Sequence, residues 1–262
     1  MSNYRSIMVA GVALMASSLG AQSADLYGAQ GGRGSIKDDG YYAPAARGCP
    51  SWYGRIDGGY STYDRPAMTQ VGIDDLTNAR FKDTGNLGGG IGHYFTCNIR
   101  GDITVDHRFK SDVYGTNGNN AAPNYGTMKW GYESTAIMSN MYYDFNAGAR
   151  FTPYIGFGFG AVHNDFSRGK GVVGAGAFNP ADVGTPTTVG SANSWHVAGA
   201  AMTGFVFNMS DRLKLDTGYR FMYLGAGKTG ETANSFGGTG GVIHIDNLHA
   251  HEIRVGLRYD IR

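Results

Sequence analysis

Cysteine is nearly absent from this chain: Cys 2 in 262 residues, at Cys49 and Cys97. That excludes a scaffold stapled by many disulfides and leaves room for one bond. Proline is scarce too, Pro 7 against Gly 43 and Tyr 17, a balance that favours one large all-β domain over two ordinary ones. Net charge is close to nil. With Lys+Arg 22 and Asp+Glu 21 the formal charge is +1, so bulk electrostatics predict neither a nucleic-acid nor an anionic-membrane partner. No apolar run reaches the roughly 18 residues that a membrane helix needs. Any membrane crossing must therefore be built from strands.

What is present begins with an export pattern. Arg5 is followed by the apolar run Ile7 to Leu19 and then by small residues around Ala21, Ser23 and Ala24, which predicts a cleaved secretory signal over 1–24. A mature start at Ala24 and one at Asp25 both fit. Residues 25–50 are rich in Gly, Ala and Tyr with no sustained period, and read as a flexible leader. The rest, 51–262, reads as one domain.

Its clearest stretch is the last, HEIRVGLRYDIR from His251 to Arg262. Ile253, Val255, Leu257, Tyr259 and Ile261 alternate with Arg254, Gly256, Arg258 and Asp260, and strict period two means a strand with two unlike faces. Seven further segments follow this rule with varying clarity: 52–63, about 86–96, 99–111, about 131–145, 152–162, about 194–208 and 212–224. On 99–111, Ile99, Ile103, Val105 and Phe109 oppose Arg100, Asp102, Thr104, Asp106 and Arg108. The connections alternate in length, long at about 64–85, 112–130, 163–193 and 225–249, short at 97–98, 146–150 and 208–211. Even strand number, strands of about 9 to 11 residues and every long loop at one end describe a transmembrane barrel with short periplasmic turns. A soluble sandwich has no reason to sort its loops in this way. Slipping the last strand by one residue would turn Arg254 and Arg258 to lipid at about 2–4 kcal/mol each near the midplane, which fixes its register.

These segments resemble the small eight-stranded outer-membrane barrels of Gram-negative bacteria, the porin-like opacity and OmpA-type surface proteins. The resemblance covers about 50–262 and is carried by SWYGRIDGGYS, IMSNMYYDF, PYIGFGFGA and the closing VGLRYDI. It implies an up-and-down barrel in the outer membrane, folded with periplasmic chaperones and the barrel-assembly machinery. It also implies a final-strand assembly signal, matched by Arg254, Gly256, Tyr259 and Ile261. The chain departs from that pattern by ending Ile261–Arg262 where such proteins usually end on an aromatic residue.

Facing inward by alternation are Arg55, Arg100, Arg108, Lys214, Arg220, Arg254 and Arg258 against Asp57, Asp102, Asp106, Glu133, Asp216 and Asp260. An eight-stranded interior is about filled by its own side chains, and buried charges must be paired. A salt-bridge network plugging the lumen is the expected result; a narrow ion path is the alternative. Cys49 precedes the first strand and Cys97 follows the second, which predicts a Cys49–Cys97 disulfide at the periplasmic end.

Other motifs carry less. Gly169, Gly171 and Gly174 match G-x-G-x-x-G but lack the strand-turn-helix setting of a dinucleotide site, and read as a flexible outer loop. His244, Asp246, His249, His251 and Glu252 cluster near the last strand and are weak candidates for metal or haem. Alternation turns His249 and His251 outward. His163, Asp165 and Ser167 share a loop entrance without a catalytic signature. The outer loops, rich in Gly, Asn, Thr and Ala, suggest a hydrated surface without a defined pocket. The sequence therefore describes a non-enzymatic barrel with no cofactor, whose expected role is envelope integrity and display of surface loops to host or cell-surface ligands. A small-solute or ion porin is the second reading, and a haem- or metal-binding receptor the third.

Overall fold

The structure, a computed structural model, describes residues 51–70, 76–117, 126–175, 180–234 and 239–261. The expected signal 1–24, the leader 25–50 and Cys49 lie outside them. Cys97 is disulfide-bonded.

Eight strands form the barrel wall: β1 (Trp52–Tyr63), β4 (Thr84–Tyr94), β5 (Ile99–Asn117), β6 (Gly126–Asp144), β7 (Phe151–Val173), β9 (Ala192–Asn208), β10 (Leu213–Tyr223) and β13 (His249–Ile261). Each pairs antiparallel with its neighbours, and β1 closes on β13 from Trp52↔Ile261 to Tyr63↔Ala250. The last strand thus meets the first over its whole length, leaving no edge. Five short strands belong to the long connections: β2 (Met68–Gln70), β3 (Thr77–Phe81), β8 (Pro186–Val189), β11 (Gly227–Asn234) and β12 (Thr239–Ile245).

The two faces differ as alternation demands. Outward, Ile56, Ile91, Ile103, Phe159, Val197 and Ile253 are exposed, Val197 at 76%. A continuous apolar belt of this kind is unfavourable in water and favourable against lipid tails. Inward, Arg100, Arg108, Arg220 and Arg258 are buried. Gly256 sits where β13 closes on β1, and a Cβ there would lie 2.5 Å from Asp57 Cβ and 2.6 Å from the Ile56 carbonyl. The close approach, not a turn, requires glycine.

At the short-turn end, Thr96 Oγ1 accepts from the backbone N–H groups of Asn98 and Ile99. Asn98 Nδ2 donates to the Asp144 carbonyl at 2.8 Å. Asn146 takes the positive φ of 55° that its turn needs, a conformation asparagine tolerates better than most residues.

The other end differs from the expectation of loose loops. Strands β5, β6 and β7 run 19, 19 and 23 residues, well beyond a bilayer crossing. Gly169 and Gly171, expected in a flexible loop, lie in β7 opposite β6 and β8. Two bulges explain why alternation hid this. Between Arg108 and Ser111 the β5 register slips against β6, so Phe109 and Lys110 oppose Glu133. Beyond it the inward residues become Ser111 and Val113 where they had been Asp106 and Arg108. A second slip places Arg168 and Gly169 of β7 opposite Trp130. A bulge inserts one residue and so changes the face of all that follow.

Above the bulges the short strands fold over the mouth. β2 pairs β12, β12 pairs β11, β11 pairs β8 and β8 pairs β7. Their inward residues make an apolar core with the upper barrel, including Met68, Leu76, Phe81, Val113, Trp130, Phe166, Ile243, Ile245 and Leu248. The cap is packed because these residues have no other way to leave water.

Candidate functional site: the charged lumen and its cap

From the short-turn end upward, the lumen is a ladder of ion pairs. Lys214 Nζ meets Asp260 at 2.6 Å, and the Tyr94 hydroxyl donates to the same carboxylate at 3.0 Å. Arg100 Nε donates to both oxygens of Asp144 at 3.1 and 3.0 Å while its guanidinium lies 3.9 Å from the centre of the Tyr142 ring. Arg258 faces Asp216 at 3.5 Å, and Tyr154 donates to Asp216 at 2.9 Å. Higher up, Arg55 bridges Asp57 and Asp102, each at 3.1 Å.

The top of the ladder is the densest part. Arg254 contacts Asp57 and lies 2.5 Å from Asp106. Arg220 joins Asp106 at 2.9 Å to Glu252 at 2.6 Å, and Arg108 meets Glu252 at 2.7 Å. Met138 and Ala136, opposite Thr104 and Asp106 on β5, border this level, and with Met222, Val162 and Tyr132 they belong to the cap's apolar core.

Of the thirteen lumen residues expected from alternation, all but Glu133 lie in this ladder. Two acids joined it that the inward set had missed. Asp144 stands on the same face of β6 as Asn140 and pairs Arg100. Glu252, grouped with the histidines in the sequence, is fully buried between Arg108 and Arg220. Its even position on β13, two before Arg254, was the available signal. Glu133 is the reverse case. It occupies an odd position of β6, on the outward side with Ile137, and pairs in register with Asp165. Among the described residues the inward set is then Arg55, Arg100, Arg108, Lys214, Arg220, Arg254 and Arg258 against Asp57, Asp102, Asp106, Asp144, Asp216, Glu252 and Asp260. The charges balance. In a low-dielectric interior an unbalanced set would cost several kcal/mol per stranded ion. A void of about 20 Å³ remains beside Arg55, Asp57, Arg220 and Arg254, room for one water-sized molecule.

The histidines do not converge. His251 lies between Tyr219, whose hydroxyl is 2.6 Å from Nδ1, and Asp64 at 3.3 Å. His249 stacks on Phe221 with ring centroids 5.3 Å apart, and His244 is exposed on β12. Among the described residues no group of three or more His, Cys, Asp or Glu is placed to hold a metal ion. His163 packs on Trp195 at 5.0 Å, while Ser167 Oγ is buried without a hydrogen-bond partner, so neither is arranged as a nucleophile with its base.

Residues 99–261 match the family described as Opacity family porin protein. An uncharacterised protein of Brucella suis biovar 1 is 28% identical over 224 residues, covering 73% of this chain and 74% of its own. A putative adhesin of Rickettsia bellii is 26% identical over 221 residues, covering 82% and 90%. The crystal structure of the outer membrane protein OprG from Pseudomonas aeruginosa superposes with a TM-score of 0.52 at 14% identity, covering 82% of this chain and 99% of that one.

Proposed function

This chain belongs to the opacity family of porin proteins, and on that premise we propose that it is a non-enzymatic display scaffold whose sealed lumen holds the barrel rigid while its capped outer end meets host or cell-surface ligands. It is an integral protein of the outer membrane with a structural, surface-display role. One observation carries the finer reading: the lumen is filled by balanced ion pairs and topped by a packed apolar cap. Such an interior has rigidity to offer and little space for a solute. The putative-adhesin description of the Rickettsia bellii relative supports the same reading. In biogenesis, Arg254, Gly256, Tyr259 and Ile261 would present the closing strand to the barrel-assembly machinery after delivery by periplasmic chaperones.

The rival is the small-solute or ion porin, which the family's description favours. The test is conductance. The full chain is refolded in detergent, its fold verified by different migration of boiled and unboiled samples, and inserted into a planar bilayer. A silent bilayer is expected. Reproducible single-channel steps would overturn the sealed-lumen reading in favour of the porin.

A further inference from the structure

Above the first bulge, among the described residues, the outward face of the barrel wall changes character on the side of β3, β5, β6 and β7. Tyr114 of β5 is paired in register with Arg80 of β3 and with Lys129 of β6, and Lys129 is paired in turn with Lys170 of β7. Arg80, Tyr114, Lys129 and Lys170 thus form one row across four strands. Two of its cations stand directly opposite each other, an arrangement that destabilises a sheet unless an anion offsets it. Arg80, Lys82 and Lys129 lie 5.3, 5.5 and 5.4 Å from the centre of the single Tyr114 ring. Among the described residues one carboxylate serves the cluster, Asp112, at 3.0 Å from Lys129 and 3.8 Å from Lys82. A cavity of about 360 Å³ opens beside the row, lined by Arg65, Arg80 and Tyr114. The other side of the barrel carries Tyr219, Phe221, His249 and His251 instead. A near-zero net charge averages over this asymmetry.

Position decides what the row faces. Its side chains point sideways, in line with the lipid-facing Ile103 and Val105 below. Tyr114 stands five positions beyond Phe109, the outward apolar residue of β5 at the bulge. At the rise and tilt of barrel strands that is about 12 Å above the apolar belt. Ordinary phospholipid headgroups extend only about 5–7 Å from the hydrocarbon. A phosphate carried outward on sugars reaches the row, and a ligand arriving from the medium would meet the cap first.

We propose that the row Arg80–Tyr114–Lys129–Lys170 is a binding site for the phosphate groups of the outer leaflet's glycolipid, lipopolysaccharide. Lys129 and Lys170 neutralise phosphate, and Tyr114 holds Arg80, Lys82 and Lys129 beside its ring. The contact fixes the barrel's height and rotation relative to its own membrane. It does not depend on whether the lumen conducts, so its failure and that of the sealed-lumen reading are separable.

The test uses the full chain folded in detergent, incubated with rough-type lipopolysaccharide and washed, with retained glycolipid counted per barrel. Parallel samples take the same glycolipid stripped of phosphate, and phosphatidylglycerol. Retention of the phosphorylated glycolipid alone is expected, with a drop of about tenfold or more in Lys129→Gln/Lys170→Gln. Unaltered retention in a variant that still shows heat-dependent migration overturns the proposal. So does equal retention of phosphatidylglycerol, or displacement by a soluble sulfated saccharide at equal anion concentration. Should the double variant fail to fold, Arg80→Gln at an exposed position decides the matter by the same readout.

Discussion

Replacing Glu252 by glutamine removes one charge from a fully buried site while keeping its shape. Its carboxylate accepts hydrogen bonds from Arg108 Nε at 2.7 Å, Arg220 Nε at 2.6 Å and Ser61 Oγ at 3.1 Å. Arg220 keeps Asp106. Arg108 keeps a contact with the Met222 sulfur and, among the described residues, no carboxylate. Stranding a buried cation in this way costs about 3–5 kcal/mol, and the surviving amide oxygen places the expectation near the lower end. A second substitution isolates the cause. Arg108→Met in the Glu252→Gln background removes the stranded charge, so the double variant should recover most of the loss. The assay is reversible urea unfolding in lipid vesicles, followed by tryptophan fluorescence and analysed as a double-mutant cycle. A single-variant loss below about 1 kcal/mol, or two losses that simply add, would refute the argument that charge balance governs this lumen.

Trp130 is buried in the cap core, and Trp130→Ala should cost about 3–5 kcal/mol. The damage should be local: faster proteolysis of the outer connections in a barrel that still migrates as folded, and unaltered cleavage would contradict a packed cap. The second expectation concerns pH. The hydrogen bond from Lys129 lowers the Asp112 pKa from its usual value, and this group lies beyond the apolar belt. A depressed carboxylate contributes stability above its unfolded pKa and loses it as pH falls through the folded one. The stability gap between the natural chain and Asp112→Asn should therefore persist below about pH 4, and a gap already gone at that pH would count against the contact.

The membrane-spanning half was legible in residues 52–63, 99–108 and 251–261 because each is faced by lipid on one side and ion pairs on the other. Period two is then enforced at every position. Glu252 was misplaced for a different reason. Its histidine neighbours suggested a polar loop cluster, whereas its parity with Arg254 already put it inside. Glu133 was misplaced because β6 was joined to the inward set by charge type and not by its distance from Ile137. The cap was not legible at all. Bulges at Phe109–Lys110 and Arg168–Gly169 break the alternation, and the segments beyond them are short and polar, with single buried residues such as Val189 and Ile243. Their pairing partners lie far away in sequence, as Gln70 with Ile243 shows, so no local pattern announces them. The basic row was hidden likewise, since Arg80, Lys129 and Lys170 come together only through register.

The long β5–β6 pair sets a reach. It continues above the bulge from Ser111↔Tyr132 to Asn117↔Gly126, which raises its tip by a further distance of about 15 Å. The ribbon acts as a mast: Asn117 and Gly126 at its tip stand clear of the apolar belt on a support held from both sides, by β3 along β5 and by β7 along β6. Shortening both strands together by an even number of residues would lower that tip while leaving every side chain on its own face.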